Sequence, residues 1–211
     1  MSDQDWLAQT RTSYDTVAAS YADMLRGLLD DSPYERALLA LFAEQVHAAG
    51  GGPVADVGCG SGRITAFLHG IGVDAFGIDL SPAMVEVARR DFPGLRFKVG
   101  SMTDLDLADG SLGGLLAWYS LIHIPDDELG SVLGHFRRVL RPGAPLLLGF
   151  HVGDESKLKT QGYGGHPMNV YVHRRQPSRM AGWLADAGFT VEAQMTLSSA
   201  ESTSGGILFA R

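Results

Sequence analysis

A short apolar strand runs directly into three alternating glycines and then a helix: Val54-Ala55-Asp56-Val57-Gly58-Cys59-Gly60-Ser61-Gly62. Glycine is the residue that lets backbone turn tightly and approach a ligand closely. At a strand-to-helix joint it also leaves N–H groups open at the helix N-terminus. Asp79 closes the next apolar strand, and an acid at that place suits the two hydroxyls of a ribose.

The rest of the chain reads as alternating strands and helices. Residues 4–31 form a helix carrying Trp6, Leu7, Tyr14, Val17, Ala18, Tyr21, Met24 and Leu25 at helical spacing, and Asp30-Asp31-Ser32-Pro33 breaks it. A second helix covers Tyr34 to His47 and ends at Gly50-Gly51-Gly52-Pro53. Strands follow at Val54–Val57, Val73–Asp79, Leu95–Val99, Gly114–Tyr119 and Pro145–Phe150. Helices lie between them at Gly62–His69, Pro82–Arg90 and Pro125–Leu140. Alternation of this kind implies a parallel sheet with right-handed crossovers. After a helix at Pro177–Ala187, the segments Phe189–Thr196 and Gly206–Ala210 are expected as an antiparallel pair at the sheet edge. The polar, Gly-rich stretch 151–176 exceeds an ordinary loop and reads as a substrate-binding insertion. No internal repeat or low-complexity segment is visible.

Composition narrows the class. At 211 residues and 45% apolar, the chain is long enough for one domain with a sizeable core. The net charge of −7 argues against nonspecific binding to nucleic acid or to an anionic membrane. A single cysteine excludes an internal disulfide framework and a Cys-based zinc finger. The start of the chain is acidic without an apolar signal region, and no apolar run reaches about 18 residues. The expectation is a soluble, cytoplasmic protein.

Two ligand classes use such a loop. A dinucleotide loop places Gly or Ala at position 63, where this chain has Arg63. Adenosine joined to an amino acid needs no pyrophosphate site, and Asp56 before the loop suits a cationic amino group.

Four segments together carry a family resemblance: Asp56 to Gly62; Gly77-Ile78-Asp79-Leu80-Ser81; Val99-Gly100-Ser101-Met102-Thr103-Asp104-Leu105; and Arg138-Val139-Leu140-Arg141-Pro142-Gly143. In this order the chain resembles the class I S-adenosylmethionine-dependent methyltransferases, particularly the small-molecule group, over roughly Tyr14 to Phe150. The resemblance implies a Rossmann-like, seven-stranded, mostly parallel sheet with helices on both faces. It also implies an N-terminal helical lid (1–48), a cofactor-binding core (54–150) and the insertion (151–176), all in one domain.

By position, the resemblance implies that the Gly58 and Gly60 backbone lies against the methionine part of S-adenosylmethionine. Asp56 would help hold its amino group, directly or through water. Asp79 would take the ribose hydroxyls, and Leu80 and Met102 would flank adenine. Ser101 stands where the family often has Asp, so Ser101 or Asp104 would replace that contact. Tyr21 and Trp118 are assigned to the cofactor's surroundings. Cys59 reads as packing.

The fourth strand ends in Trp118-Tyr119-Ser120-Leu121-Ile122-His123, at the edge where ligands of open α/β sheets sit. His123 is the candidate general base, because imidazole titrates near neutral pH. The alternative is a structural histidine capping the turn before Pro125. Tyr14 and Tyr21 share one helix face, and a tyrosine there would lie near the sulfonium; the alternative is that both are core aromatics. Trp118 and Tyr119 would line an aromatic acceptor site or simply pack. His151, Tyr163 and His166 are further substrate-contact candidates, against an ordinary surface role. His47, His69, His135 and His173 have no constellation.

No metal site is expected, since there is no H-E-x-x-H and Asp126-Asp127 read as helix-start acids. Arg174-Arg175 reads as a solvated turn. The expected function is transfer of a methyl group from S-adenosylmethionine to O or N of a small molecule, such as a specialised metabolite. The rival is a non-catalytic protein binding S-adenosylmethionine or S-adenosylhomocysteine. The expected partner is a small-molecule acceptor, without nucleic acid or membrane, for a monomer or homodimer.

Overall fold

The computed structural model describes residues 3–198 and 203–211, with side chains from Trp6 onward. Met1 and Ser2 of the expected lid therefore lie outside the described residues. Two helices come first, α1 (Asp3–Leu25) and α2 (Pro33–Ala48). The alternating part follows: β1 (Val54–Val57), α3 (Arg63–Gly70), β2 (Ala75–Asp79), α4 (Pro82–Asp91) and β3 (Arg96–Val99). Then come β4 (Gly114–Trp118), a single 3₁₀ turn (Leu121–His123), α5 (Asp126–Val139) and β5 (Leu146–His151). The chain closes with β6 (Ser156–Gly162), β7 (His166–His173), α6 (Pro177–Asp186), β8 (Val191–Leu197) and β9 (Gly205–Ala210).

Seven strands form one sheet in the order β3-β2-β1-β4-β5-β9-β8. The neighbours from β3 through β5 pair in parallel, and β9 runs antiparallel to both β5 and β8. The expected mostly parallel sheet is present. Strand order reverses between β1 and β4, and the crevice at such a switch point is where ligands bind in open α/β sheets.

Successive residues of a strand point to opposite faces, and the core divides accordingly. Leu115, Ala117, Leu146, Leu148, Leu208 and Ala210 join Leu133 and Phe136 of α5 and Met180 and Leu184 of α6. Leu116, Trp118, Leu147, Ile207 and Phe209 join Leu39 and Phe42 of α2 and Ile64 and Leu68 of α3. Covered on both faces, the inner strands are continuous apolar runs rather than alternating ones. That explains β9: Gly205-Gly206-Ile207-Leu208-Phe209-Ala210 is buried throughout because it lies inside the sheet, while β8 takes the exposed edge.

The 151–176 stretch forms a separate two-stranded hairpin, β6–β7. Its polarity comes from the solvent-facing residues, while Met168 and Val170 alternate inward against Val17, Ala18 and Ala22 of α1. Arg175 is not in a solvated turn. Its side chain is 1% exposed and donates to Asp126 Oδ1 at 2.9 Å, to Leu121 O at 3.0 Å and to Ile124 O. The first helix also ends earlier than expected, at Leu25.

Among the described residues no helix is long and apolar enough to cross a membrane. Phe136, fully buried between α5 and the sheet, is a direct probe of this core. Phe136→Ala is expected to cost about 3–5 kcal/mol in urea unfolding, and a cost under 1 kcal/mol would contradict the packing described.

Candidate active site

The glycine loop is shaped by its neighbours. Gly58 and Gly62 have φ of 79° and 82°, a region open to glycine but strained for other residues. A Cβ on Gly58 would overlap Ser120, and one on Gly62 would press on Phe97 at 2.7 Å. The loop is tied to β2 by Gly58 N and Cys59 N, which donate to Ile78 O at 2.7 and 3.1 Å. The loop backbone thus reaches the switch point, with Ser120 against Gly58 and the Tyr21 ring beside Gly60.

Asp79 leaves the end of β2 into this space. Gly60 N donates to its Oδ2 at 2.7 Å and Ser81 N to its Oδ1 at 2.9 Å. Burial pushes its pKa up to about 6, against the pull of those two amides. Both oxygens keep a lone pair beyond the backbone bonds.

Asp79 lines a cavity of about 410 Å³ along the C-terminal edge of the sheet, a size suited to a small ligand. Gly58, Gly60, Leu80, Ser101, Met102, Trp118, Tyr14, Tyr21 and His123 line the same cavity. Asp56 does not: it is buried beneath the loop, accepts from Thr65 Oγ1 at 2.6 Å, and is pushed up to about 6 by burial. Asp104 is also absent from the wall, whereas Ser101 is on it, with its hydroxyl 2.7 Å from Thr103 Oγ1. Tyr163 and His151 reach the cavity, and His166 stays exposed on the hairpin.

The two candidate catalytic residues meet. Tyr14 Oη lies 2.7 Å from His123 Nε2, and His123 Nδ1 lies 2.8 Å from Tyr171 O. A carbonyl oxygen only accepts, so Nδ1 carries the proton and Nε2 accepts from Tyr14. Burial lowers His123 to about 4 and raises Tyr14 well above its ordinary value. His123 is therefore neutral near pH 7, and it joins α1 to β7 rather than capping the turn before Pro125. Arg175 holds the carbonyls of Leu121 and Ile124 on either side of it. Rings continue the wall: Tyr14 is edge-on to Tyr21 at 6.2 Å, and Tyr21 to Tyr163 at 4.7 Å.

Sequence reasoning missed Glu35 and Arg63, which also line the cavity. Glu35 sits in the first turn of α2, where an acid is ordinary. Arg63 stood out only as a departure from a dinucleotide loop. Among the described residues, Glu35 Oε2, Arg63 Nη1, Trp118 Nε1 and His151 Nδ1 are buried without a hydrogen-bond partner. Tyr119, next to Trp118, holds a left-handed backbone with φ 54°, a strain of roughly 1–3 kcal/mol of the kind kept at functional sites.

Strand order, a glycine loop at the switch point and an acid at the end of β2 define a Rossmann-like domain with its ligand crevice at that point. A family model described as a methyltransferase domain matches residues 54–143. The chain is 34% identical over 160 residues to the O-methyltransferase cnsE of Penicillium expansum, covering 67% of this chain and 57% of that protein. It is 28% identical over 158 residues to a ubiquinone biosynthesis O-methyltransferase of Xanthomonas axonopodis pv. citri, covering 67% and 64%. The chain thus spans less than two thirds of the length of these relatives. Among solved structures, the fold matches a DhpI complex with S-adenosylhomocysteine at TM-score 0.77 and 19% identity, covering 100% of this chain and 98% of that one. It matches a Burkholderia thailandensis 1,6-didemethyltoxoflavin-N1-methyltransferase at TM-score 0.73 and 22% identity, covering 100% and 90%.

Two outcomes are expected from this geometry. Long-range ¹H–¹⁵N NMR will find His123 as the neutral Nδ1–H tautomer from pH 5 to 9; titration near 6.5 would contradict its burial. The unfolded chain takes this proton at about 6.5 and the native state only near 4, so this group's contribution to stability is lost as pH falls between those values. Arg175→Met leaves two buried carbonyls unpaired and is expected to cost about 2–5 kcal/mol in urea unfolding.

Proposed function

We propose that the protein is an S-adenosylmethionine-dependent methyltransferase acting on oxygen or nitrogen of a small molecule. The observation that carries this reading is the Asp79 carboxylate, oriented by Gly60 and Ser81 at the wall of a cavity whose far side holds the Tyr14–His123 pair. The residues fit the cofactor. A Cβ on Gly58 would close the cradle, and the buried polar atoms around the cavity await partners. The relatives support the reaction class, since their names give methylation of oxygen in two cases and nitrogen in a third.

When bound, S-adenosylmethionine supplies a methyl group on a positively charged sulfur, already activated for displacement. Asp79 accepts hydrogen bonds from the two ribose hydroxyls. Leu80 and Met102 flank the adenine, with Ser101 at its edge. The backbone of Gly58 and Gly60 lies along the methionine arm. Tyr14, Tyr21 and Tyr163 exclude water from the reacting atoms, which strengthens every polar contact inside.

Burial raises Tyr14 and lowers His123, so moving the tyrosine proton onto the imidazole runs strongly uphill. The pair acts by position instead. His123 Nε2 takes the hydrogen bond of Tyr14, which turns the lone pairs of Tyr14 Oη toward the acceptor. An acceptor O–H or N–H donates to that oxygen and is aligned for in-line attack. Phenols and acidic N–H groups, whose proton leaves to solvent once the methyl is transferred, suit such a site. The chain works as a monomer or homodimer in the cytoplasm.

Calorimetric titration with S-adenosylmethionine, S-adenosylhomocysteine and NAD tests the reading. Micromolar binding of the two sulfur ligands, lost by at least tenfold in Asp79→Ala, is expected; binding of NAD alone would overturn it. Affinity should hold above pH 6 and fall below it, as Asp79 takes up a proton. On an acceptor found by screening phenols and N-heterocycles, Tyr14→Phe is expected to slow turnover by about 10–100-fold at unchanged cofactor affinity. Tight cofactor binding without turnover on any acceptor would favour a protein that only binds.

A further inference from the structure

Among the described residues, two that are not glycine hold a left-handed backbone: Tyr119 with φ 54° and Tyr163 with φ 38°. Both line the cavity. A side chain in that conformation is strained, and such strain persists where the surroundings enforce it, commonly at ligand sites. Tyr163 shows the choice most plainly. It opens the turn Tyr163-Gly164-Gly165 between β6 and β7, in which all three residues have positive φ. Glycine or asparagine takes such a place at less cost. What the turn gains from tyrosine is the ring.

That ring is held firmly. Tyr21 meets it edge-on with centroids 4.7 Å apart, and Lys159 Nζ lies 4.0 Å from its centroid. Gly164 keeps the tip of the hairpin close to α1, since a Cβ there would stand 3.3 Å from Ser20 Cβ. Tyr119 directly follows β4. Its ring lies 5.2 Å from that of His151 and edge-on to Trp118 at 5.5 Å. Gly205 of β9 leaves room for it, because a Cβ there would overlap the Tyr119 hydroxyl. The Lys159 charge that sits on Tyr163 is also felt at His151, so the hairpin and the end of β5 border the same end of the cavity. This end is walled by aromatic rings, which pack best, edge-on or offset, with another flat ring. His151 Nδ1 is buried there without a hydrogen-bond partner among the described residues. An imidazole nitrogen donates or accepts according to its tautomer, so a hydroxyl on a ligand satisfies it in either state.

We propose that Tyr163 and Tyr119 select a planar aromatic acceptor, and that His151 Nδ1 bonds a second polar group on its ring. This rests on the methyltransferase reading above and names its substrate class. The reacting O–H or N–H stays with Tyr14, and the second group decides which edge of the ring meets the methyl. Backbone strain at the two tyrosines fixes their rings before the acceptor arrives, which lowers the ordering cost of binding.

Three probes with one carbon skeleton test this on the protein saturated with S-adenosylhomocysteine: 2-naphthol, its saturated counterpart decahydro-2-naphthol, and 2,7-dihydroxynaphthalene. Calorimetry is run on the wild type, Tyr163→Asn, Tyr119→Asn and His151→Phe. Asparagine accepts a left-handed backbone, so it removes a ring without adding strain. The wild type is expected to prefer 2-naphthol over decahydro-2-naphthol by at least tenfold. It should bind the dihydroxy probe about 3–10-fold more tightly still, the worth of one hydrogen bond. Each asparagine variant should narrow the preference for the aromatic probe by about 3–10-fold, the worth of one aromatic contact. Tyr163→Phe and Tyr119→Phe keep the ring and should keep the preference. His151→Phe should erase only the gain from the second hydroxyl. Unchanged S-adenosylhomocysteine affinity reports an intact fold in every variant. Absence of the wild-type preference, or failure of all three probes to bind, overturns the aromatic selection and leaves the cofactor reading standing. A preference that survives an asparagine variant unchanged, or is lost with phenylalanine, overturns the role given to that ring. A second-hydroxyl gain that survives His151→Phe overturns the role of His151. Failure of the wild type to bind S-adenosylhomocysteine overturns the methyltransferase reading itself, and this proposal with it.

Discussion

The Asp79 carboxylate is half-buried at the cavity wall, and a carboxylate drawn out of water has to be held. Two backbone amides do so, one from Gly60 in the loop and one from Ser81 at the start of α4. Those bonds fix the loop against β2 and orient both oxygens toward the cavity. Satisfying such an acid with main chain rather than a basic side chain leaves its charge available to a ligand. The cost is visible in its pKa, pushed up to about 6 by burial. The close approach of Gly58 to Ser120 completes the frame, because it brings the end of β4 against the loop.

The same corner anchors the lid. Asp15 on α1 accepts from Ser81 Oγ at 2.5 Å and from Ala83 N at 3.1 Å, so the helix that closes the cavity is tied to the turn that orients Asp79. On its other side, Ser13 Oγ accepts from Asn169 N of β7 at 2.8 Å. Apolar packing of Val17, Ala18 and Ala22 against Met84, Val87, Met168 and Val170 joins α1, α4 and the hairpin into one cover. His123 sits beneath this cover with both nitrogens engaged. A histidine so held serves better as a strut for Tyr14 than as a proton acceptor, because burial has removed its basicity.

The cavity wall carries Asp79, Glu35, Arg11 and Arg63 among aromatic and aliphatic side chains. Trp118, Tyr119 and His151, at the ends of β4 and β5, line the same cavity.

The local pattern of the sequence determined a great deal here. Apolar runs bounded by glycine and proline mark the strands because burial on both faces demands continuous apolar residues. The loop from Gly58 to Gly62 and the acid at Asp79 are legible because backbone conformation and hydrogen bonding require those residue types. Tertiary structure alone decided the rest. That Tyr14 and His123 form one unit depends on α1 crossing the end of β4, a packing with no local signature. Arg175 looks like any turn arginine until two carbonyls and Asp126 are brought around it. The hairpin was legible only in the alternation of Met168, Val170 and Val172, which gains meaning once α1 is there to cover it. Arg63 stood out in the sequence only as a departure from a dinucleotide loop and Glu35 not at all, because charge reports its function through what surrounds it, and only the folded chain brings these two to a single cavity.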